Sequence, residues 1–137
     1  MKHYIFILLT LGLFFSTNVK AQTKSKQEKI RSYNVEQFAK QIKSEKIILV
    51  DVRTAKEYNE GHIPQADCNI DVLKSNFIYH AHRLLPRNRT IALYCKGGVR
   101  SKRAAKQLME YGYKVFDLDK GYDEWVKAGM PTEKLNN

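Results

Sequence analysis

Apolar residues change their spacing several times along this chain, and each change predicts an element. Asn34 with Gln37 three residues on has the form of a helix N-cap and capping box. Val35, Phe38, Ala39 and Ile42 then make one apolar stripe, so a short helix is expected to end near Ser44. From Lys46 to Val52 the stripe gives way to a continuous apolar run with charged ends, which predicts a strand covered on both faces of a parallel sheet. Thr54-Ala55-Lys56-Glu57 reads as a second capping box opening another short helix, stopped by Gly61-His62-Ile63-Pro64. Cys68 to Asp71 predicts a short extended segment. Leu73, Phe77, Ile78, Ala81 and Leu84-Leu85 return to helical spacing as far as Pro86. Thr90 to Tyr94 is a β-branched and aromatic strand, and a helix follows from Arg100 to about Tyr111 with Ala104, Ala105, Leu108 and Met109 on one face. Gly112 stands where a helix C-terminus wants glycine. Lys114 to Leu118 is another strand, and Gly121, Tyr122, Trp125 and Val126 form a last short helix closed by Gly129-Met130-Pro131.

Strands alternating with helices in one domain predict an α/β fold with a mostly parallel sheet, whose ligands bind beyond the carboxyl ends of the strands. The N-terminal stretch follows a different pattern. Tyr4 to Phe15 is apolar except for Thr10 and Gly12, lies behind Lys2 and His3, and leads to Val19-Lys20-Ala21. This predicts a signal peptide over 1–21, cleaved after Ala21, and export to the bacterial periplasm. The run is short for a membrane span, so no stable membrane insertion is expected after cleavage; an uncleaved anchor is the alternative. Residues 22–33 are polar and lysine-rich and read as a flexible tether. The domain is expected over 34–132, with a tail over 133–137.

Net charge is +10, and losing Met1–Ala21 removes Lys2 and Lys20 and no acidic residue, leaving +8. The basic residues are spread over Lys24–Arg31, Arg83–Arg89, Lys96–Lys106 and Lys114–Lys127, without a recognition-helix motif or interleaved aromatics. That pattern is a solvated basic surface, not a nucleic-acid site. Two cysteines, Cys68 and Cys95, fit no zinc or Cys-x-x-Cys spacing, so no metal or cofactor is expected. In an oxidising compartment they are candidates for a structural disulfide, or for a reversible bond.

Cys95 is set apart by its surroundings. It ends a strand, and Cys95-Lys96-Gly97-Gly98-Val99-Arg100-Ser101 turns directly into a helix. Glycines allow a tight turn and close backbone approach, and the free N–H groups of a helix start bind anions and favour a thiolate nucleophile. The amides of Lys96, Gly97, Gly98, Val99, Arg100 and Ser101 are expected to cradle an anion. Arg100 is expected to order the loop and hold an oxyanion, Lys96 to attract the ligand or simply be solvated, and Ser101 to cap the helix. His62 fits a turn hydrogen bond better than a general base, and His80 and His82 point apart on their helix. Tyr122 and Trp125 are most simply core anchors.

Four blocks in order resemble a rhodanese-homology domain of the single-domain sulfurtransferase type. They are Leu49-Val50-Asp51-Val52-Arg53; Glu57-Tyr58 with Gly61-His62-Ile63-Pro64; Cys95 to Ser101; and Gly121-Tyr122 with Trp125, Gly129 and Pro131. Gln65, an extra residue near Cys68, and Lys120 depart from the family pattern at the rim. The resemblance implies a three-layer domain, a central five-stranded sheet flanked by helices, and a cysteine that carries sulfur as a persulfide. It implies that Asp51 and Arg53 organise the site, with Glu57 a candidate partner for Arg53, although the capping box with Thr54 alone is the preferred reading of Glu57. The ligands implied are thiosulfate or a persulfide as donor and a thiophile such as cyanide or a thiol as acceptor; a thioredoxin-like protein is a further candidate partner, and a monomer is the default. Two other readings stay open: a redox or protein-interaction module, and a Cys-based phosphatase or arsenate reductase. The latter resemble a Cys-x5-Arg loop, whereas this chain has Cys-x4-Arg, a tighter ring.

Overall fold

The computed structural model describes residues 28–135, so the expected signal peptide, the tether as far as residue 27, and residues 136–137 of the tail lie outside the described residues. Among the described residues the order is β1 (Arg31–Tyr33), α1 (Val35–Gln41), β2 (Ile47–Asp51), α2 (Ala55–Glu60), β3 (Cys68–Asn69), α3 (Phe77–Leu84), β4 (Thr90–Tyr94), α4 (Val99–Glu110), β5 (Val115–Leu118) and α5 (Gly121–Lys127). The strands form one five-stranded sheet in the order β1-β5-β4-β2-β3, every neighbouring pair parallel.

Both capping boxes form: Asn34 with Gln37 at α1 and Thr54 with Glu57 at α2, each side chain taking the other residue's backbone N–H. The alternation along the strands divides the core in two. Val50, Val52, Ile91, Leu93 and Cys95 pack with Phe77 and Ala81 of α3 and Ala104, Ala105 and Leu108 of α4. Leu49, Ala92, Tyr94, Phe116 and Leu118 pack with Phe38 of α1 and Trp125 of α5. A sheet buried on both faces in this way has no polar side to its central strands, which is why β2 and β4 read as unbroken apolar runs.

Two boundaries differ from the sequence reading. Arg31–Tyr33, expected to be tether, is the edge strand β1, in register with Phe116, Asp117 and Leu118. An edge strand has one neighbour and needs little apolar pattern of its own. Here backbone pairing is supplemented by the Tyr33 ring against Phe116, 5.1 Å between centroids, and by Ser32 bonding Asp117. The third helix begins at Phe77, not near Leu73: Asp71 accepts the N–H of Leu73 and leaves that residue in an exposed turn.

The topology opens a crevice at one place. The chain leaving β2 goes through α2 to β3 at one edge, whereas the chain leaving β4 goes through α4 to β5 toward the other edge. β2 and β4 are neighbours, so their carboxyl ends face the gap between diverging connections, the usual ligand position in such sheets. Cys95 follows β4 directly at this point.

Candidate active site

Cys95 is 1 % exposed and lies at the floor of its loop. The Gly98 N–H donates to its Sγ at 3.1 Å. Gly98 is the N-cap of α4, with φ of +97°, and a Cβ there would meet the Asp119 carbonyl oxygen at 1.9 Å. Gly121, at φ of +67°, faces back the same way: its Cβ would lie 2.4 Å from the Lys96 carbonyl oxygen. Two backbone loops thus interlock through their glycines. The lock is fastened by Tyr122 N–H to Cys95 C=O at 2.8 Å and Asp123 N–H to Lys96 C=O at 3.0 Å. Gly97 behaves differently, since a Cβ on it would meet nothing within 4 Å.

The charged residues of the loop are turned to partners. Arg100 donates through both terminal nitrogens to the Glu57 carboxylate, at 2.7 and 2.8 Å. This fork joins the N-termini of α4 and α2. Hydrogen bonding from Arg100 holds the Glu57 carboxyl down at about 2 against the opposing effect of burial, and the same bond raises Arg100. Arg100 therefore orders the loop, and an incoming oxyanion has to compete with a carboxylate for it. Lys96 is held by both oxygens of Asp123, at 2.8 and 2.9 Å, in an exposed pair. Val99 offers the loop its backbone only, its side chain being 81 % exposed.

Ser101 does not cap α4; it is the third residue of that helix, behind Gly98, and is fully buried. Its Oγ accepts from the Cys95 thiol at 3.6 Å and lies 2.8 Å from Asp117 Oδ2 and 3.1 Å from the Gly98 carbonyl. Asp117 is itself fully buried. It also receives Ser32 from β1 on Oδ1 and Lys102 from α4 on Oδ2, the latter at 3.2 Å. Nothing in the local sequence marks Asp117, since the spacing that joins it to Ser101 exists only once β5 lies beneath α4.

Asp51 and Arg53 are brought together as a buried bidentate pair, with Arg53 Nη2 at 2.6 Å from Asp51 Oδ2 and at 2.7 Å from the Gly61 carbonyl. Burial opposes the Arg53 charge, and the Asp51 carboxylate outweighs it, so the net direction is upward. The guanidinium lies over the Tyr122 ring at 4.2 Å and the Tyr94 ring at 5.6 Å, and the Tyr94 hydroxyl accepts the Ile63 N–H at 3.1 Å. The partner of Arg53 is therefore Asp51, not Glu57. His62 is buried, stacked on Tyr58 and bonded to the Tyr58 carbonyl at 2.9 Å, a turn-holding role.

Cys68 and Cys95 are both free. Cys68 pairs with Val50 on β2, and β2 separates β3 from β4, so two strand spacings put the backbones about 10 Å apart. A disulfide needs Cα atoms within about 7 Å, so neither the structural nor the reversible bond forms without opening the sheet. Burial, with the charge of Asp67 adding to it, pushes the Cys68 thiol up to about 11.

A parallel α/β sheet with a buried thiol at a topological switch point, under a glycine-locked loop and a helix start, defines a cysteine-centred α/β domain. The Rhodanese-like domain model matches residues 34–128, and the chain belongs to that family. It is 30 % identical over 142 residues to rhodanese-like domain-containing protein 17 of Arabidopsis thaliana, covering 96 % of this chain and 90 % of the relative. It is also 30 % identical over 96 residues to a thiosulfate sulfurtransferase of Coxiella burnetii, covering 69 % and 85 % of the two chains. A rhodanese-related protein of Thermoplasma volcanium has a crystal structure that superposes with a TM-score of 0.65 at 28 % identity, covering 75 % of this chain and 97 % of that one.

Proposed function

We propose that this chain is an exported sulfurtransferase that carries sulfane sulfur as a persulfide on Cys95. The Cys95 thiolate attacks the outer sulfur of thiosulfate or of a persulfide donor. A sulfur–sulfur bond forms to Sγ, and the donor's own sulfur bond breaks, its electron pair leaving with sulfite or a thiolate. A thiophile such as cyanide or a thiol then attacks the outer sulfur, and the Cys95 thiolate departs. The observation that carries this reading is the buried Cys95 with Gly98 N–H aimed at Sγ and Arg100 drawn out to Glu57. The oxygens of a donor such as thiosulfate have to draw Arg100 from Glu57, whereas the single outer sulfur left on Cys95 needs no arginine in the ring. The thiosulfate sulfurtransferase relative supports the donor class. Export rests on the pattern of residues 1–21, and a thioredoxin-like protein is a fitting acceptor because it offers a thiol.

The test is an intact mass of the purified protein after incubation with thiosulfate. The expected result is a gain of one sulfur atom that cyanide removes and that Cys95→Ser lacks. No gain in the fully reduced protein would overturn the reading.

A further inference from the structure

The buried carboxylate of Asp117 is the one charged group behind the nucleophile that the sulfur-transfer steps leave without a task. It sits on β5, facing α4, and is reached from three sides: by Ser32 from β1, and by Ser101 and Lys102 from α4. Lys102 also binds the side chain of Asp119 at 2.9 Å, while Arg100, beside Ser101 on α4, is held by Glu57. Ser101 has a single proton and three neighbours that could take it. The carboxylate at 2.8 Å is closer than the Gly98 carbonyl at 3.1 Å or the sulfur at 3.6 Å, and is the only charged acceptor of the three while Cys95 holds its proton. Charge-assisted bonds are roughly twice as strong as neutral ones, so the proton points to Asp117. That leaves a Ser101 lone pair for the Cys95 S–H. It also leaves a lone pair, not a donor, facing the sulfur once that proton has gone.

We propose that Asp117 is a positioning residue for Cys95, acting through the Ser101 hydroxyl: it claims the serine proton and so restrains the sulfur from reacting until Ser101 turns. Turning breaks the bond from Ser101 Oγ–H to Asp117 and makes one to Sγ, and no covalent bond changes. The proposal rests on Cys95 being the working nucleophile, and it goes beyond that reading in saying what holds the nucleophile back.

The geometry also sets the outcome of substitution. In Asp117→Asn the Lys102 ammonium, a donor only, keeps the amide oxygen on the Oδ2 side, and the Ser32 hydroxyl turns to accept from the NH2 on the other. Ser101 then faces a neutral acceptor in place of a charged one, so its proton is released to sulfur more readily. The probe is methyl methanethiosulfonate. The Cys95 sulfur attacks its sulfenyl sulfur, methanesulfinate leaves, and peptide mass reads the product at Cys95 separately from Cys68. At neutral pH Asp117→Asn is expected to react about fivefold faster than the parent, the difference between a hydrogen bond to a charged acceptor and one to a neutral acceptor, with a stronger ultraviolet thiolate band. In a Ser101→Ala background the same substitution is expected to change the rate less than about twofold, which separates the hydroxyl from the field of Lys102 and of the lost charge. Loss of a merely structural aspartate would loosen the site and open the buried Cys95 to the reagent by the same factor in both backgrounds.

A rate unchanged or lowered in Asp117→Asn, or raised by the same factor in both backgrounds, would overturn the proposal. If near-ultraviolet circular dichroism shows that Asp117→Asn does not fold, Ser32→Ala decides. It deprives the carboxylate of one donor, strengthens its hold on Ser101, and is expected to slow the reaction; an unchanged or faster rate overturns the proposal. The reagent needs only a thiol, so these outcomes are read even if thiosulfate fails to load Cys95.

Discussion

The Arg100–Glu57 fork carries the loop's position, and its contribution is measurable through pH. Both side chains are about a quarter exposed, at 21 and 26 %, and the two bonds are short. The Glu57 carboxyl falls from 4.5 to about 2, chiefly through Arg100 with help from Thr54. A lowering of that size corresponds to about 3 kcal/mol of linkage, and partial solvent screening of the pair brings this to about 2 kcal/mol. The sign follows from the direction. A carboxyl held lower in the folded than in the unfolded chain stabilises the fold fully above the ordinary carboxyl range, and that stability is lost as pH falls from about 4.5 toward about 2. In Glu57→Gln, Thr54 keeps an acceptor but Arg100 loses a charged one. Urea unfolding at neutral pH should show a loss of about 2 kcal/mol, and a series down to about pH 3 should show the difference from the parent closing. A loss under about 0.5 kcal/mol at neutral pH, or a constant difference across the acid range, would refute the fork as the anchor of the loop.

Three further outcomes follow from single contacts. Gly98→Ala forces a methyl into the Asp119 carbonyl at a left-handed φ and should cost about 3 kcal/mol or more by urea unfolding, whereas Gly97→Ala, with open space around it, should unfold within about 0.5 kcal/mol of the parent. Cys68, pushed up to about 11, is about one part in a thousand thiolate near pH 8, so peptide mapping after iodoacetamide treatment of the folded protein should find it unmodified. Tyr94→Phe strips the buried Ile63 N–H of its acceptor and should cost about 1–2 kcal/mol of stability by the same unfolding assay, with the rings around Arg53 still in place.

Much of the fold was legible because its signals are local. The capping boxes at Asn34 and Thr54, the double-sided apolar runs of β2 and β4, and the position of Cys95 at the end of a strand each depend on a few neighbouring residues. What escaped the sequence depends on residues brought together from afar. Strand β1 shows no apolar alternation, because one neighbour and the Asp117–Ser32 bond suffice to hold it. The partner of Arg53 could not be told from spacing, since Asp51 and Glu57 are both near it in sequence, and that of Arg100 lies 43 residues away, brought in only by the fold. Ser101 looks like a cap by residue type; its place one turn inside α4 turns the hydroxyl to the sheet instead. The need for glycine at position 98, but not at 97, appears only when the Asp119 carbonyl is in place.

The interlock of the Cys95 and Gly121 loops sets an order on how the protein is made. Synthesis runs from the N-terminus, so the nucleophile leaves the ribosome ahead of Gly121, Tyr122 and Asp123, whose N–H groups and missing Cβ complete its cradle. Until those residues arrive, the thiol belongs to an unfinished chain with no loop to hold it. A nascent chain therefore passes through a window in which Cys95 is open to adventitious oxidants, and the emergence of α5 closes it.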